Sequence, residues 1–132
     1  MESFAQRFPG DPLLFMNENQ LPITTARYDD LSMKRETARR LTVEVSLSNG
    51  GTLQIVSLCP AKAITLVEKE DYTLTGKVLS LCGMSFVEMK NQDTLRLHTQ
   101  GDRGTYVITY PASAESAAHG LLQGLYLSVQ DQ

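Results

Sequence analysis

The sequence predicts a mainly β domain: a seven-stranded antiparallel barrel or bent sandwich capped by one C-terminal helix. Three observations carry this. From Leu41 onward, apolar residues recur with period two in short runs. Those runs are separated by short turn-forming segments rich in Asn, Gly and charge. The stretch from Pro111 to Val129 alone has a helical period, with Ala114, Ala117, Ala118, Leu121, Leu122, Leu125, Tyr126 and Val129 on one stripe. Ser113 is placed to cap that helix and Pro111 sits just before it. A lone helix after a run of strands needs a sheet or barrel mouth to bury its stripe.

The elements follow in order. Leu41, Val43, Val45 and Leu47 alternate with Thr42, Glu44 and Ser46 as a half-buried strand. Asn49-Gly50 predicts a type I′ hairpin, because both central residues of that turn need positive φ. Thr52 to Leu58 is the partner strand, ended at Cys59-Pro60 because proline cannot donate to a central ladder. A third strand is predicted at Ala63 to Val67, closed by the charged turn Glu68 to Asp71. The fourth spans Tyr72 to Leu81, bent at Gly76, and the fifth Met84 to Met89, after a break at Cys82-Gly83. Thr94 to His98 and Thr105 to Tyr110 are the sixth and seventh, joined by a loop whose Gly101 and Gly104 suit positive φ. Joined by tight turns, these strands predict one continuous meander that curls and must close or cover its ends.

Residues 1–40 differ from the rest. Pro9, Gly10, Pro12 and Pro22 interrupt them, and Leu13 to Met16 form a short apolar cluster. The segment reads as an irregular arm that lays this cluster against the core, with Leu14 and Phe15 as docking candidates in the alternative reading. A short helix is predicted from about Asp29 to Arg40, where Ala, Met, Lys, Arg and Glu favour it. The domain proper is expected over residues 41–132.

Size and charge narrow the function classes. A chain of 132 residues forms one domain able to bury a self-sufficient core. Twelve Lys and Arg against fifteen acids, a formal charge of −3, leave no large basic face unless charge is segregated, so no strong nucleic-acid signal is present. No apolar run reaches the roughly 18–20 residues of a membrane span, and the N-terminal residues lack the pattern of a signal peptide. Cys59 and Cys82 make no disulfide framework and are expected as buried thiols in a reducing, cytoplasmic setting.

The order of strands and helix resembles the pleckstrin-homology-like (PH-like) superfold, whose members have seven antiparallel strands in a bent, partly open barrel capped by a C-terminal helix. The likeness runs from Leu41 to Val129 and is nearest at Thr94 to His98, the glycine-bearing loop, Thr105 to Tyr110 and the helix opening at Ala114-Glu115. Two departures matter. There is no tryptophan for the inner face of the capping helix, so Leu122, Leu125 or Tyr126 must fill that place. The first hairpin, Val45 to Gln54, has no basic residue, so the family's inositol-phosphate grip does not carry over. An OB-fold, a five-stranded barrel, is the alternative architecture.

No chemical constellation stands out. His98 and His119 are 21 residues apart and Cys59 and Cys82 are 23 apart, outside the short spacings of zinc sites. Neither cysteine sits on a nucleophile elbow with a base. Glu68, Glu70 and Asp71 read as a solvated turn, His119 as a residue on the polar side of the helix, and Gly101 to Gly104 as a turn and not a phosphate loop. Phe86, Tyr72 and Tyr106 can stack on bases only if they face outward. The basic group Lys34, Arg35, Arg39 and Arg40, with Arg35 and Arg39 on one helical face, is a docking candidate. Gly120 and Gly124 are spaced to allow close approach of another element, and Leu127 lies off the stripe beside them.

The expectation is therefore a non-catalytic protein-interaction or assembly module without a cofactor, presenting a strand edge, the helix and the arm to a protein partner. Homo-oligomerisation stays open. The alternatives are an OB-type subunit that binds single-stranded nucleic acid and a phosphoinositide-binding or membrane-binding PH domain.

Overall fold

The structure, a computed structural model, describes residues 11–15, 23–32, 37–47, 51–59, 72–101 and 104–127. It is mainly β. The strands are β1 (Leu13–Phe15), β2 (Ile23–Ser32), β3 (Thr37–Ser46), β4 (Thr52–Cys59), β5 (Thr73–Leu81), β6 (Met84–Asn91), β7 (Thr94–Gly101), β8 (Gly104–Pro111) and β9 (Leu125–Leu127). A 3₁₀ turn, Ala112–Ala114, leads into the helix α1 (Glu115–Leu122) between β8 and β9.

Seven strands form one antiparallel sheet in the order β2-β3-β4-β8-β7-β6-β5, and β1 pairs with β9 in a separate two-stranded ladder. The predicted single meander is thus corrected. β2-β3-β4 and β5-β6-β7-β8 are two meanders, joined where Gln54–Leu58 of β4 pairs with Thr105–Thr109 of β8. Seven strands also exceed the five of an OB barrel. Period-two alternation puts Val43, Val45, Leu53, Ile55, Leu97, Tyr106, Ile108 and Tyr110 into a common core. Ala118 and Leu122 of α1 and Leu13 and Phe15 of β1 pack against the same cluster.

The short helix predicted over Asp29 to Arg40 is not formed. Its described residues, 29–32 and 37–40, belong to β2 and β3, in which Tyr28 faces Leu41 and Asp30 faces Arg39 across the ladder. Sheet pairing overrides the local helix preference. β3 also runs across the expected domain boundary between residues 40 and 41, so the arm and the barrel share a strand. The predicted strand Ala63–Val67 and the acidic turn after it lie outside the described residues.

The capping helix is shorter than its stripe. It ends at Leu122, and the Gly124 N–H donates to the Leu121 carbonyl at 3.0 Å. Leu125–Leu127 then switches to period two and pairs with Leu13–Phe15. Gly120 and Gly124 weaken helix continuation, and Leu-Tyr-Leu supplies a strand that satisfies the backbone of β1.

The turns show where glycine is needed. Cys82 and Gly83 have φ of 55° and 78°, as a two-residue type I′ turn between Leu81 and Met84 requires. The predicted Asn49-Gly50 turn lies outside the described residues, and the strands that flank it pair as predicted. Ser46 faces Thr52 and Leu47 donates to the Gly51 carbonyl at 2.8 Å, so three residues (48–50), outside the described set, separate Leu47 from Gly51. Gly104 is not at positive φ. It gives room: a Cβ there would lie 2.7 Å from the Tyr106 hydroxyl and 3.1 Å from the Leu58 carbonyl oxygen. That buried hydroxyl donates to the Asp11 carbonyl, and Leu13 N–H donates to Ser57 Oγ at 3.1 Å, so both bonds tie the N-terminal segment under the sheet. Gly104→Ala is expected to displace the Tyr106 hydroxyl and cost about 1–3 kcal/mol, measured as a lower urea midpoint at unchanged slope.

Candidate functional site

The β5–β6 hairpin is inverted relative to the rest of the sheet at its open end, whereas near its turn Leu79, Leu81 and Met84 pack on the core. Phe86 of β6 faces the core, fully buried. By alternation Glu88 and Lys90 follow it on the same face, opposite Leu97 and Leu95 of β7. Leu74, Val78 and Val87 of the hairpin point the other way. Leu74 is 67% exposed, Val78 63% and Val87 38%, with Val78 directly across from Val87.

A large bulge in β5 creates the pocket beside Glu88. Leu74 faces Met89 and Val78 faces Val87, so Thr75, Gly76 and Lys77 together oppose Glu88. Gly76 makes this possible at φ 89°, which confirms the predicted bend there. The bulge carries the Thr75 hydroxyl onto the carboxylate: Thr75 Oγ1 donates to Glu88 Oε1 at 2.7 Å and accepts from the Lys77 N–H at 3.3 Å. Glu88 is 2% exposed, and its other oxygen, Oε2, has no hydrogen-bond partner among the described residues. The resulting cleft has a volume of about 310 Å³ and is lined by Thr75, Lys77, Glu88, Lys90, Leu95, Ala112 and Glu115.

The mouth of the helix closes one end of this region. Tyr110 Oη lies 2.9 Å from His119 Nε2, with the rings edge to face at 5.6 Å, and His119 Nε2 is 3.9 Å from Glu115 Oε2. His119 therefore faces Tyr110 and is half-buried, a correction to its predicted place on the polar side. Burial pushes the Tyr110 phenol well above the ordinary tyrosine range, and the carboxylates of Glu88 and Glu115 push it further. Burial also raises the Cys82 thiol, so that thiol is a weaker source of thiolate than a free cysteine.

The docking residues predicted from sequence that lie among the described residues are spread over β1, β3, α1 and the β9 end. Leu14 and Phe15 form β1 and are buried, Phe15 in the main core and Leu14 beside Leu41, Tyr28 and Cys59. Arg39 is exposed on β3, and Arg40, its neighbour, projects to the opposite face, so no shared helical face exists. Lys34 and Arg35 lie outside the described residues. Gly120 is exposed with nothing within 4 Å of an added Cβ, and Gly124 lies beyond the end of α1, so the two are not spaced along one helix face. Leu127 pairs with Leu13 and packs against the core, leaving Tyr126 as the exposed residue of β9. Phe86 and Tyr106 are buried, and Arg96 stacks over the Tyr72 ring at 4.0 Å, so these aromatics do not form an open stacking surface. Among the described residues no three His, Cys, Asp or Glu side chains gather.

Sequence reasoning missed Glu88, Thr75 and Lys77. Phe86-Val-Glu-Met-Lys90 alternates, but its apolar members Val87 and Met89 suggest that the face holding Glu88 is the wet one. The signal available was the single Phe86 in phase with Glu88, beside a glycine in the neighbouring strand.

Comparison with protein-family models, curated proteins and solved structures gives no match.

Two measurements test these placements. Phe15→Ala is expected to cost about 3–5 kcal/mol in stability, as for a core aromatic, where a docking residue would cost almost nothing; urea unfolding reads the difference. The raised Tyr110 pKa means the folded chain holds a proton that the unfolded chain releases near pH 10. The stabilisation from this group is therefore complete below pH 10 and is lost as pH rises beyond it. Tyr110→Phe is expected to flatten the alkaline fall in unfolding free energy and to remove one late-ionising phenol from the 295 nm titration.

Proposed function

We propose that this chain is a non-catalytic protein-interaction module that receives an extended segment of a partner protein on the β5 edge. The observation that supports this most strongly is the pair Leu74 and Val78, 67% and 63% exposed on a strand that is the sheet edge among the described residues. Thr73 to Val78 are six consecutive exposed residues. Monomeric sheets protect their edges with charges, proline or very short strands. β5 is nine residues long and carries one charge, Lys77, on its cleft side. An added strand would supply hydrogen-bond partners to the edge and cover Leu74 and Val78 with alternate side chains of its own. The occupant best matched to this surface is an extended strand with apolar residues at every second position. The resemblance to the PH-like superfold adds a scaffold of the same general kind, with strand edges and a capping helix free for recognition. The alternatives that need a basic surface draw less support, since the described cleft and edge are mixed in charge.

Site-specific photo-crosslinking in the native cell tests this. A benzoylphenylalanine at position 74 or 78 is expected to yield one discrete protein adduct, absent when the probe stands at exposed Thr52. Leu74→Lys with Val78→Lys is expected to abolish capture by a probe at position 73 while changing stability by less than about 0.5 kcal/mol. Equal labelling from all positions, or capture that survives the double lysine variant, overturns the reading.

A further inference from the structure

We propose that the cleft on the inner side of the β5–β6 hairpin binds a small zwitterionic organic ligand bearing a primary ammonium and a carboxylate. The inference is independent of the strand edge. It rests on Glu88. A carboxylate this buried normally has both oxygens engaged, because an orphaned buried acceptor forfeits its hydration without replacement. Here Thr75 satisfies Oε1, while Oε2 is buried with no donor from the described residues, in a side chain that is part of the cleft wall. Lys77 and Lys90 line the same cleft and are exposed, and neither forms an ion pair with Glu88 among the described residues.

The charge layout selects the ligand. A simple cation would satisfy Glu88 but would meet the repulsion of two ammonium groups at the rim. A simple anion would suit the lysines but would bring like charge to Glu88 and Glu115. A molecule with separated charges satisfies both ends. Its ammonium donates to Glu88 Oε2, and its carboxylate takes charge-assisted bonds from Lys77 and Lys90. Leu95 and Ala112 form the apolar wall along which its carbon frame lies. The volume of about 310 Å³ is at the low end for ligand sites and suits a molecule of amino-acid size.

Backbone amide NMR of the full chain tests this with L-alanine as probe. Saturable shifts below about 50 mM are expected at Thr75, Lys77 and Lys90. Trimethylglycine, which has no N–H donor, and acetate, which has no nitrogen, are expected to bind at least about tenfold more weakly. Glu88→Gln keeps an acceptor for Thr75 and removes the charge; it is expected to reduce L-alanine binding about tenfold or more. Lys90→Ala, at an exposed position that leaves the fold intact, is expected to reduce it several-fold. Absence of saturation, equal binding of trimethylglycine, or L-alanine affinity unchanged in Lys90→Ala each overturns the proposal. Tighter binding of calcium at the same residues also overturns it, in favour of a cation site. Loss of L-alanine binding leaves the strand-edge crosslinks untouched, so the two readings fail separately.

Discussion

The pairing of β4 with β8 is the constraint on which the architecture depends. Among the described residues it is the one ladder that joins the two meanders, and it runs antiparallel from Gln54–Thr109 to Leu58–Thr105. Its inward residues, Ile55 and Ile108, sit directly opposite each other and are fully buried. Every other interior contact is built around this seam. Val43 and Val45 extend it on one side, Leu95 and Leu97 on the other, and the β1–β9 ladder and α1 lie over the same face. Closing such a non-local pair costs chain entropy that local contacts do not offset. The apolar burial at the seam must supply that free energy, which explains why polar residues are excluded from its inward positions until Ser57. That serine has a structural use, as the acceptor for β1.

The N-terminal segment is part of the interior. Asp11 to Phe15 is held by the Tyr106 hydroxyl, by Ser57 and by the backbone of β9, and it contributes Leu13 and Phe15 to the core. The first and last described segments of the chain therefore form one small ladder. The partners of this segment lie more than forty residues away in β4, β8 and β9, so docking it closes long loops of chain.

Much of the fold was legible in the sequence, in proportion to how locally each feature is determined. Period two over Leu41–Leu47 and Thr52–Leu58 located β3 and β4, and the Cys82-Gly83 and Asn91-to-Asp93 breaks located the hairpins of the second half. β2 and the start of β3 were illegible because the helix-favouring composition that includes Ala38 to Arg40 is outweighed by the pairing of the two strands, which no local window contains. The β4–β8 junction was hidden for a related reason: all strands share one period, so periodicity alone cannot say which two pair. The helix end was ambiguous because Leu121, Leu122 and Leu125 fit a helical stripe, while Leu125 and Leu127 fit an alternating strand equally well. The cleft was the least legible feature. Alternation places Glu88 with Phe86, but only the three-dimensional bulge at Gly76 shows that this face is closed over by Thr75.

The bulge has a wider consequence. Thr75, Gly76 and Lys77 form the backbone of the outer edge and the wall of the inner cleft at once. A molecule that immobilises Thr75 from within also fixes the hydrogen-bonding groups that an incoming strand would read from outside. If both surfaces were occupied, the ordering of the bulge would be a cost common to the two, although each surface can be filled without the other. Such linkage is reciprocal by necessity. The bulge at Gly76 thereby ties the conformation of the outer edge to that of the inner cleft wall through three consecutive residues.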